Sequence, residues 1–176
     1  MLVLLAGTCC AACNNPASTT AAPSAMPITG GSVNYSYPKM GNTPISWEKG
    51  DPRTIEIVLS SLKGYENMDV DKAMAGFADS VHWESDGVDQ IYSKDSLTSM
   101  LKRNFNDTKS VKIEMHDYES VVSKDSSQAY VTVWYKQIIT DKSGKIDSMS
   151  VVDDAKILHG KIVEMDEKTR KYPVKK

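Results

Sequence analysis

Cysteine is missing from almost the whole chain. The three cysteines, Cys9, Cys10 and Cys13, lie within the first 13 of 176 residues. The sequence after them therefore offers neither a disulfide nor a thiolate metal site. A glycine-rich phosphate loop, a Gly-x-Ser-x-Gly elbow and metal-ligand spacing are missing as well. The sequence accordingly predicts no cofactor and no metal.

An excess of charge of one sign is also missing. The chain carries 21 Lys and Arg against 23 Asp and Glu, a formal net charge of −2, and the two signs are interspersed. Proteins that bind nucleic acids through phosphates need a basic surface, so we expect no nucleic-acid partner. The basic final segment KTRKYPVKK is interpreted as a solvated terminus.

Residues 1–13 form a run of small and apolar side chains that is too short to span a bilayer. Ala11, Ala12 and Cys13 resemble the end of a bacterial lipoprotein signal, although Cys10 stands where leucine is usual. The resemblance implies acylation of Cys13, and thus attachment to the membrane of a bacterial cell envelope. An ordinary cleaved signal and the apolar start of a cytosolic protein remain as alternatives.

Residues 14–50 are rich in Pro, Ser, Thr, Ala, Gly and Asn and lack periodic apolar positions. This composition predicts a flexible tether. Trp47 is a position at which the tether could begin to dock. The folded domain is expected over residues 51–176.

Three helices are predicted at the start of this domain. Asp51 and Pro52 are favourable cap and first-turn residues, and apolar residues then recur at helical spacing to about residue 66. A second, shorter helix follows Asp69 and should end near Ala78 and Asp79. Ser93 or Asp95 can cap a third helix.

A period of two marks the strands. Residues 81–85 alternate, and further strands are predicted from residue 109 and at about 128–140, 145–158 and 161–167, with a tight turn at His159-Gly160. Helices followed by a long meander indicate an α+β fold, in which a strongly curved, mainly antiparallel sheet has three helices over its concave face.

This order of elements resembles the nuclear transport factor 2-like superfamily, in its SnoaL-like branch. The resemblance rests on the helix from Asp69 that continues into Ala-Asp-Ser-Val-His-Trp, on the third helix after Tyr92-Ser93, and on the Gly160-Lys161-Ile162-Val163 hairpin. It covers about residues 52–172. It implies a cone-shaped α+β barrel whose mouth opens on an apolar pocket, and homodimers that pair through the outer sheet face.

Ketosteroid isomerase has this shape, and the resemblance allows its catalytic positions to be compared. Its base falls on Ser85, its helix-one tyrosine falls near Ser61, and its second acid matches Asp153. A serine hydroxyl cannot serve as that base, so isomerase activity is not expected. Asp86 could substitute as a base if its turn folded inward.

Asp153 lies in the phase of Val151 and Ala155, which should face the pocket. A carboxyl group in apolar surroundings retains its proton and can donate a hydrogen bond to a ligand. The alternative is that Asp153 and Asp154 are a solvated pair at the start of a strand. Trp83, Ser85 and Met115 are the other residues predicted to line the pocket.

Further aromatic and imidazole side chains are less informative. Alternation places Tyr130 and Trp134 on one face of their strand and Tyr135 on the other, without showing which face is concave. His82, His116 and His159 fall at outward or turn positions, where no two of them could share a metal with a carboxylate.

Two functions follow from these residues. The first is a lipid-anchored envelope protein whose domain binds a small apolar ligand or a protein partner without catalysis. The second is a cofactor-independent cavity enzyme, an isomerase, cyclase or hydratase that transfers protons on a hydrophobic substrate, with Asp153 and Asp86 as acid and base. The missing base and tyrosine favour the first function.

Overall fold

A computed structural model describes residues 46–172 of the protein. The predicted signal segment with Cys13 and most of the predicted tether lie outside the described residues, as do the last four residues. Among the described residues, no helix combines the length and the apolar character needed to span a membrane.

The described chain contains three helices and seven strands in an α+β arrangement. In chain order they are β1 (Trp47–Lys49), α1 (Pro52–Glu66), α2 (Val70–Ala75), β2 (Phe77–Ser85), β3 (Val88–Ser93), α3 (Lys94–Asp107), β4 (Thr108–Ser123), β5 (Ala129–Asp141), β6 (Ile146–Leu158) and β7 (Lys161–Lys171).

The strands form one sheet in the order β1-β4-β5-β6-β7-β2-β3. Neighbouring strands are antiparallel except β2 and β7, which are parallel. The predicted α+β class and mainly antiparallel sheet are therefore confirmed. The sheet is not closed into a full barrel, because β1 and β3 are edge strands within the described part of the chain.

Helix α1 begins where the sequence predicts it. The Asp51 carboxylate accepts a hydrogen bond of 2.8 Å from the Arg53 backbone N–H, which caps the helix. Gly64, near its end, allows α2 to approach closely, since a Cβ at this position would lie 2.3 Å from the Ala73 nitrogen. The pair α1–α2 thus packs backbone against backbone.

Helix α2 is shorter than predicted. It ends at Ala75, and Phe77, which was expected on the inner face of this helix, instead opens β2 and pairs with Ile162 of β7. The Ile162 N–H donates a 2.9 Å bond to the Gly76 carbonyl. Pairing with a strand more than eighty residues away overrides the local helical pattern.

The sheet begins inside the range predicted for the tether. Residues Trp47–Lys49 pair with β4, and the Trp47 ring contacts Tyr130 edge-on with centroids 5.7 Å apart. The contact lies at Trp47, the position at which the tether could begin to dock. The long strand β4 extends far enough to accept this additional edge strand.

The core lies between the helices and one face of the sheet. Its fully buried members are aliphatic residues on alternate strand positions: Val81, Val131, Val133, Val151, Ala155 and Ile162. The β6–β7 hairpin turns at His159 and Gly160, which have φ values of 51° and 72°. Two successive positive φ angles are typical of a tight two-residue hairpin turn, as the sequence predicts.

Candidate functional site

A cavity of about 480 Å³ lies between the helices and the inner face of the sheet. Most of its wall is apolar, and the side chains that form this part include Val58, Met74, Phe77, Trp83, Leu101 and Met165. Phe77 and Trp83 stack with ring centroids 6.4 Å apart. The volume is within the range of about 300–1,000 Å³ that small-molecule sites occupy.

Asp153 is the most buried acidic group of this cavity. It lies on β6 in the same phase as Val151 and Ala155, and its side chain is 7% exposed. The Tyr135 hydroxyl, on the neighbouring strand β5, donates a 2.9 Å hydrogen bond to Asp153 Oδ2. Asp153 Oδ1 is also buried but has no hydrogen-bond partner in the described part of the chain.

Burial determines the protonation state of Asp153. Loss of solvent raises its pKa from 3.8 to about 7, and the nearby charge of Glu167 acts in the same direction, whereas the hydrogen bond from Tyr135 opposes the shift. Asp153 is therefore a neutral carboxylic acid in a large fraction of molecules near neutral pH. In that form it can donate as well as accept a hydrogen bond.

Glu167 and Tyr65 are further polar residues of the wall, which also includes Ser61, Asn104 and Gln137. Glu167 is the cross-strand neighbour of Asp153, and burial, followed by the charge of Asp86, raises the pKa of Glu167. Burial and then the charges of Glu167 and Asp153 raise the pKa of Tyr65 to about 12. Burial likewise raises the pKa of Tyr135 well above its ordinary value. Both phenols consequently retain their protons and can donate to a ligand.

Tyr65, Glu167 and Tyr135 were not predicted as cavity residues from the sequence. Tyr65 lies seven residues after Val58, so it shares the buried stripe of α1. Glu167 follows Met165 by two residues and shares its face of β7. Tyr135 could be assigned only once the structure showed that its face of β5, rather than that of Tyr130 and Trp134, is the inner one.

Tyr65 also changes the comparison with ketosteroid isomerase. Ser61, which the comparison placed at the tyrosine position, donates its hydroxyl to the Ala73 carbonyl and joins α1 to α2. Tyr65, one helical turn further, and Tyr135 place two phenolic hydroxyls at the cavity. The compared position itself is a serine, as predicted, but Tyr65 and Tyr135 line the cavity.

The other predicted site residues fall in three different places. Trp83 and Ser85 line the cavity. Met115 does not: helix α1 separates it from the cavity, and it lies 36% exposed in a shallow groove between α1 and β4. Asp86 is exposed in the β2–β3 turn and does not line the cavity, although it is near enough to Glu167 for its charge to raise the pKa of that residue.

A cluster of charged side chains lies on the opposite face of β2. His82 Nε2 is 2.7 Å from Asp89 Oδ1, and His82 Nδ1 is 3.4 Å from Glu84 Oε1. Ligand atoms of all three residues lie within 4.8 Å of one another. The hydrogen bond to Asp89 is the main reason why the pKa of His82 is raised. Because both ring nitrogens contact carboxylates, the arrangement fits a protonated histidine in an ion-pair cluster.

Comparisons with known proteins identify the fold. No family model and no curated protein matches the sequence. Several solved structures are similar to this chain. An LEH-like epoxide hydrolase from M. tuberculosis has a TM-score of 0.57 at 16% identity, covering 68% of this chain and 84% of the other.

Two further structures show the same likeness. An NTF2-like protein of unknown function from Burkholderia pseudomallei has a TM-score of 0.54 at 13% identity, covering 68% of this chain and 91% of that one. AusH from Aspergillus nidulans has a TM-score of 0.56 at 9% identity, covering 70% and 87%. The domain therefore has the nuclear transport factor 2-like fold that the SnoaL-like resemblance implies.

Proposed function

We propose that this domain binds a small, largely apolar molecule in its cavity and holds the molecule's polar group with Asp153 and the tyrosines. The observation that supports this proposal best is the unpartnered Oδ1 of Asp153. A buried polar atom without a partner destabilises the folded state by about 1–3 kcal/mol. A ligand that hydrogen-bonds to this oxygen would remove the penalty, while its apolar part contacts the surrounding wall.

Occupation of the cavity can be tested with N-phenylnaphthylamine, a neutral apolar dye that fluoresces when it leaves water. We expect saturable binding to the native protein and weaker binding to Ser85→Phe, since the added ring would occupy part of the cavity that Ser85 lines. Ser80→Phe is the matched control, because Ser80 lies on the same strand but is exposed. Equal dye binding by the two variants would contradict the proposal.

The role of Asp153 requires a second measurement. Native mass spectrometry of the purified protein would detect a co-purified small molecule. We expect Tyr135→Phe and Asp153→Asn to retain less of it, whereas Asp154→Asn should retain as much as the native protein. Asp154 points away from the cavity, where it accepts hydrogen bonds from Thr132 and Lys168. Unchanged retention in Asp153→Asn would show that this carboxyl does not hold the ligand.

Proton-transfer catalysis is a second candidate, favoured by the adjacent carboxyl groups of Asp153 and Glu167. Two carboxyls in different environments can act as acid and base on one substrate. Here an ionised Glu167 would accept a proton from the substrate, while Asp153 would donate one to a developing oxyanion. Glu167 thus takes the role that the sequence suggested for Asp86. An epoxide hydrolase among the similar structures shows only that the fold can host an enzyme.

Catalysis is distinguished from simple binding by isotope exchange. If the domain transfers protons, a bound molecule should incorporate deuterium from heavy water, and Glu167→Gln should slow the incorporation by about 100-fold or more. Exchange at the same rate in Glu167→Gln would exclude this residue as the base. Binding without any deuterium exchange would contradict catalysis and support the non-catalytic binding function.

Attachment to a membrane through an acylated Cys13 is proposed from the sequence. The resemblance of Ala11-Ala12-Cys13 to a lipoprotein signal supports it, and it would place the domain in the bacterial cell envelope. In a bacterial host, labelled palmitate should be incorporated into the native chain but not into Cys13→Ser. Recovery of Cys13→Ser in the membrane fraction, as for the native chain, would contradict the proposal.

A further inference from the structure

The cavity wall contains acidic groups without a basic counterpart. Asp153 and Glu167 both line it, whereas no lysine, arginine or histidine of the described chain does. The charge of Lys168 acts on Asp153, but its ammonium group lies on the other face of the sheet, 2.8 Å from Asp154 and 2.6 Å from Asp166. No basic side chain of the described chain therefore lies in the cavity to pair with Asp153 or Glu167.

The two acidic groups are placed where they repel each other. Asp153 and Glu167 are directly opposed residues of the antiparallel pair β6–β7. Side chains at such positions have Cβ atoms about 4.5–5.5 Å apart, and like charges there are destabilising. A positive group between the two carboxyls would convert this repulsion into two attractive contacts.

The aromatic residues around the carboxyls favour the same kind of group. The stacked rings of Phe77 and Trp83 form part of the wall, together with Tyr65, Tyr92 and Tyr135. The faces of aromatic rings attract cations, most strongly where water is excluded. The unpartnered Asp153 Oδ1 could in addition accept a hydrogen bond from an N–H group.

We propose that the ligand of this cavity is an organic cation: a small, mainly apolar molecule with one protonated amine, which lies between Asp153 and Glu167. This inference depends on the proposed function, since it specifies the charge of the molecule bound there. The ammonium group contacts the two carboxyls and an aromatic face, and the hydrocarbon part contacts Met74, Leu101 and Met165. A carboxylate or phosphate ligand is disfavoured, because its negative charge would lie beside two acidic residues in a cavity that no basic residue of the described chain lines.

Three probes of matched shape test the charge directly: phenylpropylammonium, phenylpropanol and phenylpropanoate. They share the ring and a similar linker and differ in carrying a positive, a neutral or a negative end. By isothermal titration calorimetry we expect the ammonium to bind about tenfold more tightly than the alcohol, and the carboxylate to bind more weakly than either. Equal affinities of the ammonium and the alcohol, or tighter binding of the carboxylate, would overturn the inference.

Two variants test whether Glu167 is the reason why the ammonium binds more tightly than the alcohol. Glu167→Gln should lower the affinity for the ammonium by about tenfold and leave the alcohol unchanged. Glu164→Gln is the matched control, because Glu164 lies on the same strand and pairs with Lys156 away from the cavity; it should change neither affinity. An ammonium preference that survives in Glu167→Gln would refute the proposed position between the two carboxyls.

The same measurements separate this inference from the proposed function. If the neutral dye and phenylpropanol bind as tightly as the ammonium, the cavity is a ligand site, and only the inference about charge is wrong. If neither the dye nor any of the three probes binds, both proposals are wrong. Circular dichroism of each variant verifies that it is folded before it is titrated.

Discussion

Replacement of Asp153 by asparagine should change how the stability of the protein depends on pH. The pKa of Asp153 is about 7 in the folded protein and 3.8 when the group is unperturbed. Since the folded form binds this proton more tightly, the contribution of Asp153 to stability is complete below the unfolded pKa. It is lost as the pH rises through the folded pKa.

The size of the effect follows from the two pKa values. Between them, the free energy of unfolding should fall by about 1.4 kcal/mol for each pH unit, giving a total loss of roughly 4 kcal/mol. Stabilities of single domains are about 5–15 kcal/mol, so the loss is large enough to measure. The raised pKa of Glu167 contributes with the same sign, which is why the native protein should be compared with a variant rather than interpreted alone.

Urea unfolding at a series of pH values gives the required comparison. The stability of Asp153→Asn minus that of the native protein should rise by roughly 4 kcal/mol between about pH 4 and pH 8. Asp154→Asn is the matched control: it removes a neighbouring carboxyl that contacts Thr132 and Lys168 but leaves the Asp153 titration in place. Because the charge of Asp154 is only a minor cause of the raised pKa of Asp153, this variant should retain most of the loss of stability that the Asp153 titration produces in the native protein.

A flat difference curve for Asp153→Asn would refute the reasoning. It would mean that the Asp153 carboxyl titrates alike in the folded and unfolded chain, and thus that it is solvated. The carboxyl ¹³C chemical shift of Asp153 provides an independent check, because it should report a midpoint near the pKa of about 7. If the midpoint lay near 4, both the proposed neutral acid and its hydrogen bond to a ligand would be excluded.

Two other changes test separate parts of the structure. Gly64→Ala should destabilise the domain by about 1–3 kcal/mol in urea unfolding, because the added Cβ would lie 2.3 Å from the Ala73 nitrogen. Gly144→Ala, in open space but with a φ of 89°, should lower stability by about 1 kcal/mol, so a smaller loss in Gly64→Ala than in Gly144→Ala would contradict the close helix contact. Asp89→Asn should lower the pKa of His82 in an NMR titration, since the hydrogen bond to Asp89 is what mainly raises it. An unchanged His82 titration would show that this ion pair does not form in solution.

Local pattern was sufficient for most of the secondary structure. The Asp51 cap, the apolar spacing of α1 and the His159-Gly160 turn are short-range features, and the structure contains each of them. The sequence did not predict the structure of a residue correctly or fully where pairing with a distant strand determines it. Phe77 has the spacing of a helical residue but pairs with Ile162. Trp47 was predicted as a docking position, but only the structure shows that it docks as an edge strand on β4.

The candidate site was predictable only in part, for a related reason. Alternation placed Asp153 in phase with buried neighbours, and Trp83 and Ser85 on one face of their strand, which follows from the period of two along a single strand. Met115 has the correct phase but lies on the far side of α1 from the cavity. Alternation along a strand shows which face of the sheet a residue occupies. It does not show where a helix packs on that face, and so it cannot show which residues line the cavity.

The sequence by itself determined the class of fold, the order of the three helices and of five of the seven described strands, and the position of one buried acid, because these depend on periodicity and turn chemistry within a few residues. The tertiary structure alone decided that Asp153, Glu167, Tyr65 and Tyr135 surround one cavity. These four residues come from the consecutive strands β5, β6 and β7 and from helix α1, which is far from those strands in the chain. Their pKa values and their capacity to hold a ligand arise from shared burial and mutual charge, which exist only once the sheet and helices have packed together.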